Sequence, residues 1–236
     1  MTVAYADRLR DAISRVRETI AVAALAAGRE PATVRLVAVT KGHPPDAVRA
    51  ALHLGLSDVG ENRVEELERK VAVLGREGLR WHMVGHVQGR KASGVVGLAD
   101  MIHSVDSVRL AERLSRAAVD RGRNVAILAQ VNTSGEGGKQ GLAHEGAEEA
   151  VLAMAELPGL SVAGLMTMAP LTDETRVLSA TFARLRELRD RLIARSDRVG
   201  GELSMGMTND LAVAVREGST MVRIGTALFG PRGIAQ

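Results

Sequence analysis

The chain has 236 residues, with 31 Lys and Arg against 28 Asp and Glu for a formal charge of +3, 46% hydrophobic residues and no cysteine. This excludes disulfides, thiolate catalysis and cysteine metal sites, and the apolar content excludes a disordered chain. One Trp, one Tyr and two Phe leave an aliphatic core and too few stacking aromatics for a single-strand nucleic-acid surface.

Ile13, Val16, Ile20 and Ala24 recur at helical spacing and predict an amphipathic opening helix within residues 1–30. The apolar run 20–27 does not read as a secretory signal, because Asp7, Asp11 and Glu18 alternate with arginines ahead of it. No segment is apolar and long enough to span a bilayer, so a cytoplasmic protein is expected. Residues 34–40 form a β-branched strand ending at Thr40 and Lys41. Pro44 and Pro45 start a helix that Gly55 ends. Strand 58–60, helix 64–74, strand 80–84, helix 88–98 and strand 101–104 follow, and Asp106 is expected to cap a helix to about residue 120. Strand 124–131 precedes the polar loop 132–141. Helix 144–155, strand 160–166, helix 173–195, short strand 202–204, helix 209–217 and strand 221–224 complete the series. The arginines of 173–195 interleave with Glu187 and Asp190, as on a solvated helix face.

Eight strands alternating with helices predict parallel pairing and one α/β domain over 1–236: a single (β/α)8 TIM barrel with an extra N-terminal helix. Pattern alone leaves an open doubly wound sheet as the alternative. In a barrel, chemistry gathers at the carboxyl ends of the strands. Lys41 stands at the first, and lysine forms Schiff bases with carbonyl compounds. After the last two strands come 204–208 (Ser-Met-Gly-Met-Thr) and 224–227 (Ile-Gly-Thr-Ala), where glycine amides and hydroxyls suit a phosphate. Arg223 sits in an apolar strand, where it must meet a core carboxylate or a ligand. A lysine and a phosphate cradle point to a pyridoxal 5′-phosphate (PLP) protein or to a class I aldolase acting on a sugar phosphate.

Other motifs give less. The loop 135–141 fails as a Walker A motif, having Thr133 and Gln140 where Gly and Ser or Thr are needed, though Lys139 could attract an anion. His82 and His86 lie on a strand and its following loop with no third ligand nearby, so no metal is expected. His86 could line the cleft.

The segments 36–41 (Leu-Val-Ala-Val-Thr-Lys), 60–62 (Gly-Glu-Asn), 81–88, 103–107, 130–135, 164–168, 203–207 (Leu-Ser-Met-Gly-Met) and 218–226 (Gly-Ser-Thr-Met-Val-Arg-Ile-Gly-Thr) resemble, in order, the YggS/PROSC type of PLP homeostasis protein, a relative of the alanine racemase barrel. The resemblance implies PLP on Lys41 as an internal aldimine. It implies phosphate contacts from Ser204, Gly225 and Thr226, with Asn62 and Met205 lining the cofactor and Arg223 facing the pyridine nitrogen. His86, Met166 and Gly206 are further candidates for the cofactor's surroundings. Gly42, His43 and Arg63 depart from the family pattern, which often has a second lysine after the first and an aromatic after Gly-Glu-Asn. The expected role is PLP homeostasis without robust catalysis, with PLP as ligand, PLP-dependent apo-enzymes as recipients and a monomeric state. An amino-acid racemase is the alternative. It needs a second proton donor, and the one tyrosine, Tyr5, lies on the opening helix.

Overall fold

The computed structural model describes residues 3–137 and 140–231. Helix α1 (Val3–Ala26) leads into β1 (Arg35–Val39), α2 (Pro45–His53), β2 (Asp58–Glu61), α3 (Val64–Leu74), β3 (Arg80–Met83), α4 (Ala92–Leu98), β4 (Met101–Val105) and α5 (Val108–Asp120). Then come β5 (Val125–Asn132), β6 (Leu142–Ala143), α6 (Ala147–Ala155), β7 (Leu160–Met166), α7 (Thr175–Arg195), β8 (Val199–Ser204), α8 (Leu211–Arg216), β9 (Met221–Ile224) and α9 (Thr226–Phe229). Eight strands pair in parallel in the order β4-β3-β2-β1-β9-β8-β7-β5, and β4 also pairs β5. The sheet therefore closes, and the expected (β/α)8 barrel is the observed fold.

Alternate strand residues face two different interiors, which positions the site. Leu36, Ala38, Val59, Trp81, Met83, Ile102, Leu203, Val222 and Ile224 belong to the apolar layer between barrel and helices. Met101, Leu128, Met166 and Met221 pack as a separate cluster inside the barrel. The same alternation sends His82, His103, Ser204 and Arg223 inward, all buried. Gly60 is inward too. A Cβ there would come within 3.2 Å of Val37 and 3.3 Å of Val84, so the smallest residue fits where valines already fill the lumen.

Several boundaries differ from the sequence reading. Ser107 rather than Asp106 caps α5: its hydroxyl accepts from the Leu110 N–H at 3.3 Å. Strand β8 begins at Val199, earlier than expected, because Gly200 and Gly201 continue an extended path that glycine normally interrupts. Residues 89–91 form a 3-10 turn before α4, and β6 is an added two-residue strand pairing the end of β5. Gly55 closes α2 at φ 81°. Its N–H reaches the Leu52 carbonyl (2.9 Å) while Leu56 N–H reaches that of Ala51 (2.9 Å), so left-handed backbone satisfies two helix-end acceptors.

Candidate functional site

Lys41 lies two residues beyond β1, at the carboxyl end of the barrel, and the backbone on both sides of it is tied down. Lys70 of α3 donates to the Thr40 carbonyl (2.7 Å), Glu61 Oε1 (2.6 Å) and Glu66 Oε1 (3.2 Å). The Thr40 hydroxyl donates to Glu61, and the Gly42 N–H donates to Glu66 Oε1 (2.7 Å). Gly42 has φ 74°, a left-handed turn open to glycine at little cost. Glu61 is fully buried and Lys70 is 2% exposed. Burial pushes the Glu61 carboxyl above the usual range, against the pull of Lys70, and its Oε2 has no hydrogen-bond partner. The departure at Gly42 thus has a local role: it lets the backbone bend so that its amide meets the carboxylate cluster.

On the far side of β1, Arg223 of β9 is buried in the barrel. Its guanidinium donates to the Ser204 carbonyl (2.7 Å), the Ser204 hydroxyl (2.7 Å) and the Thr167 carbonyl (3.0 Å). Burial lowers its pKa to about 10, against the opposing charge of Asp210, so it stays cationic at neutral pH. Asp210 is itself held above the usual carboxylate range by burial.

A cleft of about 450 Å³ opens at this end of the barrel, and Lys41, Asn62, Arg223, Gly225 and Thr226 all line it, together with residues 168–173 and 207–210. That size suits a small ligand. A cavity of about 430 Å³ lies at the opposite end under α1, lined by Arg17, Arg35 and Asp58 among others, so volume alone does not choose between them. The carboxyl-end cleft is the one that gathers the sequence-predicted residues. Gly225 is packed closely: a Cβ there would meet the Val39 carbonyl at 3.2 Å.

The remaining candidates are placed elsewhere. Ser204 is buried with its hydroxyl between Arg223 and His103, so the side chain points into the barrel. The Met205 side chain belongs to the layer between barrel and helices, and Met166 packs inside the barrel against Met101, Leu128 and Met221. His86 is exposed beside Asp106, 3.3 Å away, and does not line the cleft. Gly206 is buried at φ 101°, and its carbonyl accepts from the Arg223 N–H (2.9 Å). Lys139 lies outside the described residues, as does the side chain of Tyr5. Among the described residues no cluster of His, Asp and Glu could hold a metal ion. No helix among them is long and apolar enough to cross a membrane.

Sequence reasoning missed the Lys70–Glu61–Glu66 cluster and the cleft residues 168–173, 209 and 210, while Met207 and Thr208 lie in the loop it had singled out. It also missed a chain of buried polar side chains. Asp58 Oδ1 lies 2.9 Å from His82 Nε2, His82 Nδ1 lies 2.8 Å from His103 Nε2, and His103 Nδ1 lies 2.8 Å from Ser204 Oγ. A signal was present: His82, His103 and Arg223 each interrupt an apolar strand at an inward position.

The alanine racemase N-terminal domain family model matches residues 13–233. A pyridoxal phosphate homeostasis protein of Pseudomonas aeruginosa is 43% identical over 227 residues, spanning 96% of this chain and 95% of the relative. That of Aquifex aeolicus is 38% identical over 220 residues, spanning 93% and 96%. PipY of Synechococcus elongatus, solved with PLP bound, aligns at TM-score 0.79 and 36% identity over 91% of this chain and 100% of its own. An alanine racemase of Clostridium difficile shares the fold at TM-score 0.77 and 14% identity, covering 94% of this chain and 56% of its own. Together with the sequence segments and the barrel, these likenesses make this chain a member of the pyridoxal phosphate homeostasis protein family, within the wider alanine racemase N-terminal domain family.

Proposed function

We propose that this protein binds PLP in the carboxyl-end cleft, attached covalently through Lys41, and serves PLP homeostasis in the cytoplasm without robust catalysis of its own. The observation that carries this is the convergence of Lys41, Asn62, Arg223, Gly225 and Thr226 on one cleft of suitable size. The PLP-bound relative PipY supports the choice of ligand.

The donor set fits the group. When bound, PLP supplies an aldehyde that amines attack and a ring that withdraws electrons. Lys41 contributes the amine, held on a turn fixed by Lys70 and Glu66. Gly225 and Thr226 offer backbone N–H groups and a hydroxyl for the phosphate, and Asn62 lines the same cleft. Ser204 contributes here through its hydrogen bond with Arg223. The Arg223 cation opposes protonation of a pyridine nitrogen placed against it, which weakens the ring as an electron sink. A site built this way holds the cofactor while stabilising substrate carbanions poorly.

Adding PLP to the cofactor-free protein should give a near-stoichiometric absorbance change that Lys41→Ala abolishes; no uptake by the wild-type protein overturns the reading. Racemisation would show as solvent-deuterium incorporation at the α-carbon of an amino acid, and none is expected across a panel. Transfer to recipients would appear as faster reactivation of a PLP-dependent apo-enzyme by the loaded protein than by an equal amount of free PLP.

A further inference from the structure

We infer that His82 and His103 are positioning residues for Arg223: His82 fixes the tautomer of His103, whose Nδ1 accepts the hydrogen bond of the Ser204 hydroxyl, so that Ser204 faces the guanidinium purely as an acceptor. This rests on the proposed function only in giving Arg223 a ligand to meet; the hydrogen-bond chain belongs to the protein alone.

The direction of the chain follows from its two ends. Arg223 can only donate, and the Asp58 carboxylate can only accept. Burial would raise the Asp58 carboxyl, but the His82 hydrogen bond and the charges of Arg80 and Arg35 work against it, the carboxyl lies below the usual range, and it is ionised. His82 must then present Nε2–H to Asp58, and in a neutral ring its Nδ1 is the acceptor for His103 Nε2–H. The remaining His103 Nδ1 faces Ser204 Oγ at 2.8 Å. Ser204 is fully buried, Arg223 already donates to its oxygen, and among the described residues His103 is the acceptor within reach of its proton. Leaving that proton unpaired in the interior would be costly. Each bond in the series thus has one proton, and both histidines are neutral Nε2–H tautomers. Burial first, with the charges of Arg223 and Arg35, holds His103 well below its ordinary pKa, which agrees.

The reverse polarity has a definite signature. A doubly protonated His82 would donate to His103 Nε2, His103 would donate from Nδ1 to Ser204, and the Ser204 hydroxyl would lose its acceptor. The oxygen facing Arg223 would then carry two donors, and the hydroxyl proton would have to turn elsewhere.

Nitrogen-15 NMR of the histidines in the unmodified, cofactor-free protein at pH 7 should show both His82 and His103 as neutral Nε2–H rings. An Nδ1–H tautomer of His103, or a doubly protonated ring at either position, overturns the inference, whatever PLP does. For positioning, His103→Leu removes both partners, while His103→Gln keeps one acceptor and one donor. PLP titration should show roughly tenfold weaker binding to His103→Leu, the worth of one hydrogen bond to a charged group. The pH midpoint of the bound-PLP absorbance should move with it, and His103→Gln should largely restore both. Wild-type behaviour in His103→Leu, or equal losses in both variants, refutes positioning. A wild-type protein that takes up no PLP would sink the proposed function, and the NMR result would still decide the chain. If His103→Leu does not fold, the tautomers decide it as well.

Discussion

Replacing Lys70 with Met should expose how the Lys41 turn is held. The thioether chain fills similar volume but removes the charge that partners Glu61 at 2.6 Å. Glu61 is fully buried and its Oε2 already lacks a partner, so the variant would leave an uncompensated carboxylate. Breaking a buried pair from one side costs about 3–5 kcal/mol. Glu61 can limit the damage by taking up a proton. From an unfolded pKa near 4.3, protonation at pH 7 costs about 1.36 × 2.7, or about 3.7 kcal/mol, and at pH 5 about 1 kcal/mol. Those figures are ceilings on the carboxylate's share, because burial already lifts the wild-type Glu61 carboxyl above its usual range. The sign is fixed: a group with a raised folded pKa keeps its stability below the unfolded pKa and loses it as pH rises through the folded one. The stability gap between Lys70→Met and wild type should therefore widen from pH 5 to pH 7. Urea denaturation across that range measures it, and Glu61→Gln in the variant background should recover part of the loss. A gap that is constant with pH, or below about 1 kcal/mol at pH 7, refutes the assignment of Lys70 as partner to a charged, buried Glu61.

Other consequences follow from single residues. Gly206→Ala puts a Cβ at φ 101° and 2.7 Å from the Ala214 Cβ; it should cost about 2–4 kcal/mol, read as a Tm fall of about 2–4 °C per kcal/mol. Asp58 has a depressed folded pKa, so its contribution is present above its unfolded pKa and lost as pH falls through the folded value. Asp58→Asn should thus flatten the acid limb of the stability curve below about pH 4, seen in thermal melts at pH 2–5. Arg223→Met leaves the Thr167 carbonyl without its buried donor, while the Ser204 carbonyl still accepts from the Thr167 N–H (3.2 Å), and should cost about 1–3 kcal/mol; denaturation showing no loss would contradict the observed bonds.

The architecture was legible because each βα unit carries its own punctuation. Pro44 and Pro45 start α2, Gly55 ends it, and β-branched runs mark the strands around it. Lys41 and the Gly-Thr turn at 225–226 could be placed from the strand ends alone, since a barrel turns those ends into one rim. The interior was harder to read. Parallel strands are buried on both faces, so most residues are apolar whichever way they point. Whether Ser204 faces the cleft or His103 depends on strand register and stagger, which local pattern leaves open. Lys70 and Glu61 meet across a strand–helix junction, with Glu61 on the outward face of β2, and nothing in the spacing of nine residues announces a buried ion pair. The hydrogen bonds of the Ser204 hydroxyl to Arg223 and His103 escaped the sequence reading for that reason: the loop after β8 was identified, but not the direction of its first side chain.

Lys41 itself bears the greatest weight. The protein should be incubated with PLP, reduced with borohydride and peptide-mapped by mass spectrometry, with Lys41→Ala in parallel. The expected result is one reduced pyridoxyl group on the peptide containing Lys41 and none on the variant. Labelling spread over other lysines, or equal labelling of Lys41→Ala, would show that Lys41 does not hold the cofactor.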